Sequence, residues 1–228
     1  MAETSSQAPS ARQKADANLP SASVSVASVS NDEDIVRLME LLFFAYRDFV
    51  SDPDTILAEL GFGRAHHRVL HFVGRHPGLR VSELLDILRI TKQSLGRVLR
   101  ELIERGYVYQ REGETDRRQR LLYLTDRGRA LHARLAAPQI ARIRSAMDQA
   151  AQDICKEETE AEGRATAPHA DSGKAARAFA RILLSIVDDK DRAKVQKWIE
   201  TGRWDTPGAN AIDASADRHG GDRPHSRR

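Results

Sequence analysis

At Gly106 the spacing of apolar residues changes, and at Thr125 it changes back. Before Gly106, Leu95, Val98, Leu99, Leu102 and Ile103 recur three and four apart, the repeat of one helix face. After it, Tyr107-Val108-Tyr109 and Leu121-Leu122-Tyr123-Leu124 have the aromatic and β-branched bias of strands. From Thr125-Asp126 the helical repeat resumes. Two short strand-like runs between helices pair most simply with each other. The expected fold class is therefore mainly α with a small β-hairpin.

The connection between the two runs is REGETDRRQR, Arg111 to Arg120, with four arginines in ten positions. The charge around it is unevenly placed. Between Arg89 and Arg120 there are nine Lys or Arg against five acids, whereas the whole chain of 228 residues carries only +3. The positive excess thus sits in one segment, as it does in surfaces that bind polyanions.

The rest of the chain frames this segment. Asn31 and the acids Asp32, Glu33 and Asp34 open a helix carrying Ile35, Leu38, Met39, Leu42, Tyr46 and Phe49. Leu41, Phe43 and Phe44 widen its apolar face, so it needs more than one neighbour. Asp52-Pro53 is expected to end or interrupt it. A second helix spans about Arg64 to Arg75, stopped by His76-Pro77-Gly78, and a short one runs from Val81 to Leu88. Thr91 then caps a helix to Arg105, closed by Gly106. Beyond the hairpin, a long helix reaches roughly Glu157 despite Pro138, with Leu131, Leu135, Ile140, Ile143, Met147 and Ile154 on one side. Residues 158–173 read as a loop, and a last helix spans about Lys174 to Trp198.

The helix after Thr91 turns Gln93, Arg97, Arg100 and Glu104 away from its apolar face, with Lys92 and Ser94 in the first turn. Gly96 adds no bulk on the flank. Arg can read guanine O6 and N7, and Gln can read adenine N6 and N7. A polar helix face is by itself usually just solvated. Here it follows a short helix and a tight turn and precedes an arginine-tipped hairpin, the order of a winged helix-turn-helix. The rival reading is a winged helix used as a protein-interaction module without specific DNA binding.

The run RVSELLDILRITKQSLGRVLRELIERGYVYQREGETDRRQRLLYLTDRG resembles the MarR family of bacterial transcription regulators. The matching pieces are the helix-turn-helix, the Gly106-Tyr107-Val108 entry to the wing, the Asp116-Arg117-Arg118 tip, and Leu124-Thr125-Asp126-Arg127-Gly128. The flanking helices fit too, from about Asp32 to Trp204. GFGRAHHRVLHFV and DILRITKQSL resemble its PetP-type branch most. The resemblance implies a homodimer whose N- and C-terminal helices interlock, two winged domains on a roughly palindromic operator, and a small-molecule effector of unknown identity. Residues where the first and second helices meet the winged domain could line an effector pocket, or simply be core. By position, Gln93, Ser94 and Arg97 match the groove-reading residues, Arg118 the wing arginine that enters the minor groove, and Asp116 the acid that orients it. Arg117 and Arg120 are added as phosphate contacts, and Thr91 and Lys92 complete the DNA-binding set at the helix start. The wing departs from the family's Asp-x-Arg-Asp-x-Arg at Gly113 and Thr115, and residues 158–173 are longer than the family's usual connection.

The domain boundaries that follow are a disordered tail at 1–30, a dimerisation helix and linker at 31–62 and the winged domain at 63–125. C-terminal helices at 126–204 complete the dimer region, and 205–228 form a second disordered tail. His66, His67, His71 and His76 crowd the second helix, and His67 with His71 has the i, i+4 spacing of a metal pair. Zinc takes three or four ligands and no others can be picked out, so no metal or other cofactor is expected. Cys155, the single cysteine, excludes an internal disulfide and reads as a packing or bystander thiol. Gly61-Phe62-Gly63 lacks the third glycine of a dinucleotide loop, and no catalytic motif occurs, so no enzyme is expected. With no apolar run of membrane-spanning length and no secretory signal, the expected location is the cytoplasm.

Overall fold

Asp32, Glu33 and Asp34 occupy the first turn of helix α1 (Asp32–Ala58), where the acids face the positive end of the helix dipole. The computed structural model describes residues 32–113, 116–163 and 170–204. The cap expected at Asn31 and both expected tails lie outside the described residues. The chain divides into two compact units within α1, after Phe44. The first exposes Ile35, Val36, Leu38, Met39, Leu41, Leu42, Phe43 and Phe44.

In the second unit α1 continues through Pro53 instead of stopping at it. Proline supplies no N–H, so the carbonyl four residues back, that of Phe49, loses its helical donor. Gln139 replaces it, its side-chain Nε2 donating to the Phe49 carbonyl at 3.2 Å. The bond crosses from another helix, and sequence spacing gives no sign of it.

Helices α2 (Arg64–Arg75), α3 (Val81–Leu88) and α4 (Lys92–Glu104) follow, close to the expected bounds. Between α2 and α3 lies a strand of two residues, β1 (Leu79–Arg80), which no sequence pattern announces. It pairs antiparallel with β3 (Arg120–Leu124), and β3 pairs with β2 (Val108–Glu112), giving the order β1-β3-β2. Two residues are too few to show a period of two. The core gathers Val69, Leu70, Val73, Leu84, Leu95, Leu102, Val108, Leu122 and Leu135, all nearly free of solvent contact. Ile103, expected on the apolar face of α4, is instead exposed.

Helix α5 (Asp126–Glu162) begins at Thr125, whose side chain accepts the Gly128 N–H at 3.0 Å. Gly128 must be glycine, because a Cβ there would lie 2.0 Å from the Tyr107 carbonyl oxygen. The Thr125 N–H donates to that same carbonyl, and its hydroxyl donates to the Gly106 carbonyl, so the wing's exit is sewn to its entry. Helix α5 runs five residues past the expected end, so residues 158–162 of the expected loop are helical. Residues 164–169 of that loop lie outside the described residues. On α5, Leu131 and Leu135 are buried, whereas Ile140 and Ile143 are exposed.

The expected final helix is two: α6 (Ser172–Ile186) and α7 (Asp189–Thr201). Val187 is extended, and Asp188 restarts the helix by accepting the Lys190 N–H at 3.2 Å. Trp198 of helix α7 is buried in the same core as the winged elements. Helix α6 exposes Phe179, Ile182, Leu183 and Ile186. No described helix is long and apolar enough to cross a membrane.

Candidate nucleic-acid interface

Thr91 sets the start of α4. Its hydroxyl oxygen accepts the Ser94 N–H at 3.1 Å, and its O–H donates to Ser94 Oγ at 2.8 Å. Thr91 is thus occupied as a cap, which fixes the first turn and the direction of the side chains that follow. Leu95, Val98, Leu99 and Leu102 anchor the opposite face in the core. Lys92, Gln93, Ser94, Arg97 and Arg100 are therefore held in solvent on one exposed surface.

The wing stands beside that surface. Its loop closes through the Gly113 N–H on the Gln119 carbonyl at 3.1 Å and the Gln119 N–H on the Asp116 carbonyl at 3.0 Å. Gly113 departs from the family pattern for a local reason: a Cβ there would lie 2.8 Å from the Asp116 carbonyl oxygen. Thr115, the other departure, lies outside the described residues. Asp116 Oδ1 accepts the backbone N–H of Arg118 at 2.9 Å. The acid orients this arginine through its main chain, which leaves the side chain exposed.

The four hairpin arginines divide into two pairs by what they touch. Arg111 lies over the rings of both Tyr109 and Tyr123, at 5.4 and 5.3 Å, and the two rings stack at 5.4 Å across the strands. Arg120 donates to Glu112 at 2.8 Å, opposite it in the β2–β3 register, and to the Arg117 carbonyl at 3.4 Å. Both brace the hairpin. Arg117 and Arg118 are exposed at the tip.

Between α3, α4 and the wing runs a groove with Leu85, Leu95, Leu99 and Ile103 on its floor. Arg80, Lys92, Arg100, Arg118 and Arg120 line it with cationic side chains, against the acids Glu104 and Asp116. Gly96 also lines it, and a Cβ there would meet nothing within 4 Å. Of the expected set, Lys92, Asp116, Arg118 and Arg120 line this groove, while Gln93, Ser94 and Arg97 lie on the exposed surface of α4. Arg80 and Arg100 also line it and were not in the set. Arg100 was legible as an outward residue, whereas Arg80 is brought in by the unforeseen strand.

The histidines have other work. His66 stacks on Phe62 at 4.6 Å, and its Nε2 lies 2.9 Å from Glu101 on α4. His76 packs 3.8 Å from Trp198, centroid to centroid. His71 faces His132 of α5 at 5.7 Å. Crowding by surrounding atoms, then the neighbouring His132, His67, Arg75 and His76, push the His71 pKa down to about 4, although part of its side chain stays open to solvent. Among the described residues no three of His, Cys, Asp or Glu are arranged to hold a metal. Cys155 is buried on α5.

A family model described as MarR family matches residues 60–119, from the end of α1 to the wing. The HTH-type transcriptional regulator PetP of Rhodobacter capsulatus is 41% identical over 165 residues, which cover 72% of this chain and 87% of that protein. Among solved structures, a MarR family transcription regulator aligns at 16% identity and TM-score 0.48, over 69% of this chain and 95% of that one. A transcriptional regulator from Thermotoga maritima aligns at 19% identity and TM-score 0.43, over 57% and 93%.

Proposed function

This chain belongs to the MarR family of transcription regulators, and from that membership we propose that it binds a roughly palindromic operator as a homodimer in the cytoplasm. The observation that carries the reading is the shared exposure of Gln93, Ser94 and Arg97 on α4 and of Arg118 on the neighbouring wing. In this reading α4 enters the major groove, where Arg97 and Gln93 meet base edges. Arg118 reaches the adjacent minor groove, and Lys92, Arg117 and Arg120 contact phosphates.

The second copy accounts for the apolar surface. Ile35 to Phe44 of α1, and separately Phe179, Ile182, Leu183 and Ile186 of α6, leave more large apolar side chains in water than a lone soluble chain usually carries. A dimer covers them and presents two α4 helices to successive major grooves. A small-molecule effector acts by preferring one spacing of the two winged domains over the other.

The test is a footprint on fragments of the chain's own promoter region, repeated across salt concentrations. Two protected half-sites roughly 10 base pairs apart are expected, with affinity falling steeply as salt rises. Absence of a protected site, or affinity indifferent to salt, overturns the reading.

A further inference from the structure

Helix α7 closes a second connection between the C-terminal helices and the helix-turn-helix. At one end, Arg192 welds it to α6. The Arg192 guanidinium donates to the carbonyls of Leu184, Ser185 and Val187 at 3.2, 3.0 and 3.1 Å, and pairs with Asp189 at 2.6 Å. These carbonyls lie at the C-terminal end of α6, where helical partners run out. The corner between α6 and α7 is therefore held by Arg192 together with the Asp188 cap.

At the other end, α7 is fastened to α3. Asp86 of α3 accepts from Lys194 and, at 2.8 Å, from the indole Nε1 of Trp204. Lys194 also lies 4.4 Å from the centre of the Trp204 ring. One residue past α3, Arg89 pairs with Asp191. Arg89 has φ +50°, the single positive φ at a non-glycine among the described residues, and it begins the turn into α4. Beneath these bonds Trp198 is buried, 5.6 Å from Trp204 and 3.8 Å from His76.

One continuous helix, α5, already joins the winged elements to α6, and a single rod between two bodies leaves a hinge. A second connection on another side removes that freedom. We propose that α7 is a strap which fixes the angle of the helix-turn-helix against α6, and that Asp86 is a positioning residue for operator binding although it is not itself a DNA contact. Lys194 first, and Trp204 second, hold the Asp86 carboxyl below its ordinary range, as expected of an anion with two donors.

This inference rests on the two-half-site reading above, because only a dimer on paired sites converts an angle into a spacing preference. The test uses the full chain, its Asp86→Ala variant and the milder Trp204→Phe, which keeps the ring and removes the N–H. Each is titrated against the footprinted operator, the same operator with one base pair inserted between the half-sites, and a single half-site. The intact chain is expected to favour the natural spacing at least tenfold. Asp86→Ala is expected to cut that preference below threefold, with single half-site affinity within twofold of the intact chain. Trp204→Phe is expected to fall between.

An unchanged preference in folded Asp86→Ala overturns the proposal, as does equal weakening on all three DNAs, which marks general damage to the fold. If Asp86→Ala does not fold, Trp204→Phe decides by the same criteria. If the intact chain binds none of the three DNAs, the DNA reading fails and the strap is judged alone by amide exchange of residues 81–88 without DNA. Exchange at least tenfold faster in Trp204→Phe supports it, and unchanged rates overturn it.

Discussion

Asp116 holds the main-chain N–H of Arg118, at 2.9 Å, and so shapes the wing tip without drawing on the arginine's charge. A carboxylate is not required for that task; an acceptor is. Asp116→Asn is expected to bind operator DNA within about threefold of the native chain. Asp116→Ala leaves the tip without its anchor and is expected to weaken binding by about 1 kcal/mol, the usual worth of such a bond. Fluorescence titration of both variants checks this, and equal behaviour of the two counts against it.

Arg97 and Arg118 are exposed on different elements, so their loss should read differently. Arg97→Ala is expected to cost roughly 1–3 kcal/mol and to relax preference at one base position, if the contact is bidentate to guanine. Arg118→Ala is expected to weaken binding most where the flanking minor groove is narrow. Titrations on operators with single base changes separate the two, and unchanged affinity in both variants removes them from the interface.

Stability offers an independent check through Gln139, which is buried and satisfies the carbonyl freed by Pro53. Gln139→Ala strands that carbonyl and is expected to destabilise the fold by about 1–3 kcal/mol. Pro53→Ala supplies the missing N–H, so it should soften the effect of Gln139→Ala when the two are combined. Urea melts of the single and double variants measure the coupling.

The histidines at the contact of α2 and α5 set an acid limit. His67, His71 and His132 are all held below the ordinary histidine range, first by crowding and then by nearby positive or titrating groups; Asp54 and Gln139 oppose this at His67. The unfolded chain therefore takes up protons that the folded chain refuses. Stability is complete above about pH 6.5 and is expected to fall as pH drops toward 4, the value for His71. Solvent access at His71 keeps its share modest. Melting temperatures across that window should decline less steeply in His71→Leu, and an identical slope would falsify the assignment.

Much of the helix-turn-helix was legible because its signals are local. Thr91, Gly106, the turn at His76 to Gly78 and the apolar repeat of α4 act within a few residues, and the structure places element ends there. Contacts from distant residues were not legible. Gln139 lets α1 pass through Pro53, β3 recruits the two residues of β1, and Asp188 divides one amphipathic run into α6 and α7. The site followed the same division. Exposure of Gln93 and Arg97 could be read from the helical wheel, but the role of Arg111 could not. Its guanidinium meets Tyr109 two residues away and Tyr123 on the returning strand.

That Tyr109–Arg111–Tyr123 stack has a kinetic side. A finger stiffened from within arrives already shaped, so little of its freedom remains to be lost at the moment of contact. Loosening it, as in Arg111→Ala, would leave the tip's own chemistry untouched and make each encounter less productive.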